Sequence, residues 1–129
     1  MRGIHHIGIT VTDLARSLAW YQEMLGMVQW GEEHYPGGRT ALLMRPDNSV
    51  HVGLDEHERN AGERLEPHRT GLDHLALGVS SRDELVRWHE HLTERGVSCS
   101  PLRDVTEPAP CALFTCTDPD GVALEFIAM

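Results

Sequence analysis

Two histidines and one glutamate stand where divalent-metal chemistry would need them. His6 opens the apolar run "HIGITV", His74 opens "HLALGV", and Glu125 lies inside "VALEF". Side chains alternate across a strand. Ile7, Ile9 and Val11 therefore share one face of the first run, and His6, Gly8 and Thr10 the other. In the second run Leu75, Leu77 and Val79 oppose His74, Ala76 and Gly78. In the last, Val122, Leu124 and Phe126 oppose Ala123, Glu125 and Ile127. Both histidines are thus followed by small residues on their own face, which describes a hollow with an imidazole at its edge. A carboxylate between apolar neighbours is costly unless it is paired or bound to a cation. Two imidazoles and one carboxylate form a plausible divalent-metal set. We expect one divalent ion on His6, His74 and Glu125, its identity open among Fe, Mn, Ni, Zn and Co. His5 has the opposite parity and reads as structural.

The elements that must hold these residues are written twice. After His6 come a strand, a turn at Thr12 and Asp13, and a helical stretch ending at Gly26. After His74 come a strand, Ser80 and Ser81, and a helical stretch ending at Gly96. Leu14, Leu18, Tyr21 and Leu25 share one helical face, as do Leu85, Trp88 and Leu92. Ser81-Arg82-Asp83-Glu84 fits a capping box, and the two glycines suit left-handed helix ends. "LLMRPDNSVHVGL" and "LFTCTDPDGVALEF" each place a Pro-Asp-Asn/Gly turn between strand-like runs. In the second, Asp120 and Gly121 should shape the hairpin that aims Glu125. Each half reads β-α-β-β with one further short strand. Module one spans 1–54 and module two 72–129, and the polar, aperiodic stretch 55–71 links them within a single domain.

Size and charge narrow the class. With 129 residues the chain is long enough to close a core without disulfides. Its three cysteines form no CxxC pair, and no signal peptide or spanning run is evident, so a reducing cytoplasm is the expectation. A net charge of −9 argues against nucleic acid as the main partner.

"HHIGITVTDLARSLAWYQEMLGM", "GLDHLALGVSSRDEL" and "FTCTDPDGVALEF" resemble the vicinal oxygen chelate superfamily. That superfamily includes glyoxalase I, fosfomycin-resistance thiol transferases, extradiol dioxygenases and bleomycin-binding proteins. The resemblance covers nearly the whole chain. It implies an α+β fold of two βαβββ modules whose curved mixed sheets enclose a metal pocket. By position, the family's ligands correspond to His6, His74 and Glu125. In the family the first module's last strand can give a fourth ligand, usually a glutamate in isomerases. Here that strand is "VHVGLDE", with His51, Gly53 and Asp55 toward the pocket. His51 is the candidate, and a shift of one residue pair would put Gly53 there instead. Trp30, His34, Tyr35 and Arg39 follow the first helix, where the family's pocket wall begins. With His51 they are candidate substrate contacts. Members often form homodimers, some by exchanging modules.

Other polar and reactive residues have ordinary readings. His89 and His91 lack HExxH spacing and suit a solvated helix face. Cys116 suits an inert buried thiol. Three functions then compete. The first is a metal-dependent isomerase, epimerase or lyase, whose small substrate chelates through two neighbouring oxygens. The second is an extradiol-type Fe(II) dioxygenase, since two histidines and one carboxylate also form that arrangement. The third is an antibiotic-sequestering protein like the bleomycin-binding branch.

Overall fold

A computed structural model describes residues 3–129. The order is β1 (Ile7–Thr10), α1 (Leu14–Leu25), β2 (Val28–Tyr35), β3 (Gly38–Met44) and β4 (His51–His57), then β5 (His74–Val79), α2 (Arg82–Glu94), β6 (Arg103–Val105), β7 (Cys111–Thr117) and β8 (Ala123–Ala128). The chain divides into two compact units, Met1–Arg64 and Leu65–Met129. Each runs β-α-β-β-β. The first sheet has the order β1-β4-β3-β2 and the second β5-β8-β7-β6. In each, the first strand pairs in parallel with the last, and the others are antiparallel. Antiparallel neighbours need only tight turns, whereas a parallel pair needs a crossover. The α+β architecture, with two curved mixed sheets, matches the one expected.

The helices form where capping and apolar spacing agree. The Asp13 side chain accepts the Arg16 amide at 2.9 Å, and Gly26 ends α1 with φ of 63°. The buried stripe of α1 is Leu14, Ser17, Tyr21, Met24 and Leu25, while Leu18 is only half-buried. In α2, the Ser81 hydroxyl accepts the Glu84 amide at 3.2 Å. Glu84 reaches back past the cap, to the amide of Ser80 at 2.8 Å and to its hydroxyl. Ser80 offers a second donor there, whereas the Ser81 hydroxyl is already in use as the cap.

The core of each unit lies between its helix and one sheet face. Ile9, Ala41, Leu43, Val52 and Leu54 are buried in the first unit. In the second, Phe114 and Phe126 stack with ring centroids 4.9 Å apart, and Trp88 of α2 lies 5.3 Å from Phe126. These are the helix-side parities expected from alternation. The strand β4 carries on through Asp55 and Glu56 to His57, into the stretch that composition suggested as linker. Pairing with Gly38, Arg39 and Thr40 of β3 carries the extension, since that antiparallel ladder runs on after β1 ends opposite Asp55.

Candidate functional site

In the second unit, His74 is the first residue of β5 and Glu125 lies on β8. The register sets His74 against Ala123 and Ala76 against Glu125, so imidazole and carboxylate occupy one face of adjacent strands. His74 Nδ1 lies 2.6 Å from Asp73 Oδ1. That hydrogen bond is the main reason the imidazole pKa is raised above its ordinary value. Burial opposes the rise, and the charges of Glu125 and Asp73 add to it. With the Nδ1 proton assigned to Asp73, Nε2 carries the lone pair that a ligand would meet. Glu125 is half-buried, and its carboxylate makes no hydrogen bond among the described residues.

In the first unit, His6 stands just before β1 with its Nδ1 2.9 Å from Nδ1 of His5. The expectation that His5 packs on the helix side is not met. Regular strand begins at Ile7, so alternation does not extend to His5. Its ring is exposed, lies 6.0 Å from that of His51 and borders the same cavity.

That cavity, of about 450 Å³, lies wholly within the first unit. Its walls include His6, Trp30, Tyr35, Thr40, Leu42, His51, Gly53 and Asp55. Trp30 reaches it through a β-bulge: the pairing of β2 with β3 shifts between Gln29 and Gly31, leaving Trp30 as the extra residue. Tyr35 arrives by ordinary alternation. His51 shares the face, and its Nε2 lies 2.7 Å from Asn48 Oδ1 in the β3–β4 turn. The register pairs Gly8 with Gly53, as it pairs Ala76 with Glu125 in the second unit. Gly53 thus holds the place equivalent to Glu125, and His51 matches Ala123.

Arg39 and His34 are not brought to this cavity. They pair with each other across β2 and β3, and alternation turns both away from Tyr35 and Thr40. They border a separate hollow of about 420 Å³ with Thr12, Glu56 and His57. Arg39 Nε donates to Glu56 Oε2 at 2.7 Å, and Glu56 Oε1 accepts the Leu14 amide at 2.8 Å. The amide and the guanidinium together hold the Glu56 carboxyl below its ordinary pKa. This cluster ties β3 and β4 to the start of α1.

The expected donors are divided between the units: His6 in the first, His74 and Glu125 in the second. Among the described residues, no three His, Cys, Asp or Glu side chains are grouped so as to hold an ion. The donor chemistry nevertheless suits a divalent cation, because an oriented imidazole stands beside a carboxylate that lacks a hydrogen-bond partner. Cys116 meets the expectation of an inert thiol, since burial pushes its pKa up to about 12. Sequence reasoning missed three positioning groups. Asp73 orients His74 and is signalled only by its place next to that histidine. Thr40 bonds to Asp55 across β3 and β4. Asp118 organises the turn before β8, accepting the amides of Asp120 and Val122 at 2.9 and 2.8 Å.

Comparison with known proteins gives concordant matches. The family model described as the Glyoxalase/Bleomycin resistance protein/Dioxygenase superfamily matches residues 3–126. The Bacillus subtilis (strain 168) protein YwkD is 33% identical over 128 residues, spanning 97% of this chain and 95% of that protein. A lactoylglutathione lyase of Haemophilus influenzae is 26% identical over 125 residues, spanning 96% and 90%. Among solved structures, a glyoxylase/bleomycin resistance protein/dioxygenase domain from Frankia sp. EAN1pec superposes with a TM-score of 0.89. The two are 26% identical, and the match covers 99% of this chain and 92% of that one.

Proposed function

The chain belongs to the Glyoxalase/Bleomycin resistance protein/Dioxygenase superfamily, and from that premise we propose that it is a metal-dependent enzyme of lyase or isomerase type. Its substrate is a small molecule that presents two neighbouring oxygens. His74 and Glu125 of one unit, with His6 of the other, would hold the ion. The observation that carries this reading is the Asp73–His74–Glu125 arrangement. A carboxylate fixes one ring nitrogen of His74, and the next strand carries a second carboxylate on the same face. Holding Nδ1 sets the tautomer and ring orientation of a ligating histidine.

The ion, when bound, would act as a Lewis acid toward the substrate's oxygens. The chain's own groups do the rest. Trp30 and Leu42 give the first unit's cavity an apolar wall, and the Tyr35 hydroxyl, 3.4 Å from His57 Nδ1, and the His51 ring offer hydrogen bonds to a polar substrate. His6 borders the same cavity, so the substrate would lie beside that donor.

Metal analysis tests the reading. Purified protein should hold about one divalent ion per site, and His74→Ala should lose it while remaining folded. Full occupancy in a His6→Ala, Glu125→Ala double variant would overturn the assignment. The Haemophilus relative's name makes turnover of lactoylglutathione the first activity to assay with the metal-loaded protein.

A further inference from the structure

We propose that Asp55 supplies the first unit's carboxylate donor, in place of the side chain that Gly53 lacks. The proposal rests on the metal-dependent reading above and names a residue of that same site. The two units are built alike, yet at the equivalent strand position one carries Glu125 and the other Gly53. Asp55 is the next residue along β4 on the same face. Its carboxylate leans back over the glycine pair: a β-carbon added at Gly8 would meet Asp55 Oδ2 at 3.3 Å, and one added at Gly53 at 3.7 Å. The space above Gly8 and Gly53 is therefore filled by Asp55.

The carboxylate is also held there. Thr40, opposite Asp55 on β3 and itself buried, donates its hydroxyl to Oδ1. Among the described residues Oδ2 has no hydrogen-bond partner, and Asp55 borders the cavity that His6 also borders. One oxygen is thus anchored and the other free, which is the arrangement of a carboxylate ligand with a supporting hydrogen bond. His51 is less well placed for the same task. It stands at the position equivalent to Ala123, and its Nε2 already faces Asn48. With Asp55, the first unit offers an imidazole and a carboxylate, as the second does in His74 and Glu125.

The test uses metal alone as the probe. Co(II) is titrated into the apo full-length protein and followed by its visible absorption and by calorimetry. Asp55→Asn keeps the size of the side chain and should weaken binding by roughly tenfold or more, since even supporting partners of ligands cost that much. Thr40→Val should weaken it less. Moving the carboxylate back by the double change Asp55→Asn, Gly53→Glu should restore affinity. A β-carbon at 53 meets its neighbours only at 3.5 Å and beyond, and the rest of the glutamate takes the space above Gly8 and Gly53 once the side chain at position 55 swings out of it. Circular dichroism and a thermal melt establish that each variant is folded. If Asp55→Asn binds Co(II) as the parent does, while His74→Ala does not bind it, Asp55 is no donor. The open set of two histidines and one glutamate then stands. If the parent chain binds no ion, the metal reading fails and takes this proposal with it.

Discussion

At the scale of single residues, carboxylates do most of the positioning. Asp73 fixes one nitrogen of His74, and removing such a support commonly lowers metal affinity tenfold to a hundredfold. Asp73→Asn should therefore bind Co(II) about tenfold more weakly than the parent, with an unchanged melting temperature in the absence of metal. Equal affinity would remove Asp73 from the site. A second carboxylate gives a pH prediction far from the metal donors. Glu84 is held below its ordinary value of 4.5, chiefly by the Ser80 hydroxyl and then by the Ser80 amide. A depressed folded-state pKa means that the ionised group stabilises the fold above the ordinary carboxylate range. That stability is lost as pH falls through the lower, folded value. Glu84→Gln should therefore flatten the decline of melting temperature below about pH 4.5. An unchanged acid limb would show that the α2 cap does not titrate with folding.

At the scale of elements, the turn before β8 leads into the strand that carries Glu125. Asp118 is 3% exposed and accepts two amides of that turn. Asp118→Ala would leave both without that acceptor, at a cost of about 2–4 kcal/mol. Asp118→Asn keeps an acceptor oxygen and should cost clearly less. Urea unfolding of the two variants measures the difference, and equal losses would mean that the side chain's bulk rather than its hydrogen bonds matters. Gly121 sits in the same turn at φ of 88°. An alanine there should cost about 1 kcal/mol without altering metal stoichiometry. The sheet behind the turn rests on stacked Phe114 and Phe126, and Phe126→Ala should cost about 3–5 kcal/mol by opening that core.

At the scale of the whole molecule, the two units have the same strand order but different site chemistry. The first carries the cavity with Trp30 and Tyr35, and the second carries the His74–Glu125 pair. An ion bound only by the folded chain, present at a hundred times its dissociation constant, adds about 2.7 kcal/mol. Saturating metal should thus raise the melting temperature by several degrees, chelator should reverse the rise, and His74→Ala should abolish it. A rise that survives in His74→Ala would locate the stabilising ion elsewhere. Among the described residues, no helix is long and apolar enough to cross a membrane.

Much of this was legible in the amino-acid order, because local periodicity and turn chemistry act over a few residues. The repeated strand–helix pattern, the caps at Asp13 and Ser81, the hairpins at Asn48 and Gly121, and the shared face of His74, Ala76 and Gly78 all follow from spacing. What needed the tertiary structure was whatever depends on pairing between distant strands. Register set Gly53 rather than His51 opposite Gly8, and alternation alone allows either. The bulge at Trp30 inserted one residue into β2, so Trp30 and Tyr35, five residues apart, border the same cavity. Arg39 went to the other face because its strand partner, Glu56, lies beside the start of α1. His5 escaped the strand's parity because the strand starts two residues later. In each case a hydrogen-bonding choice between strands, made by the packing of a whole sheet, decided which way a side chain points.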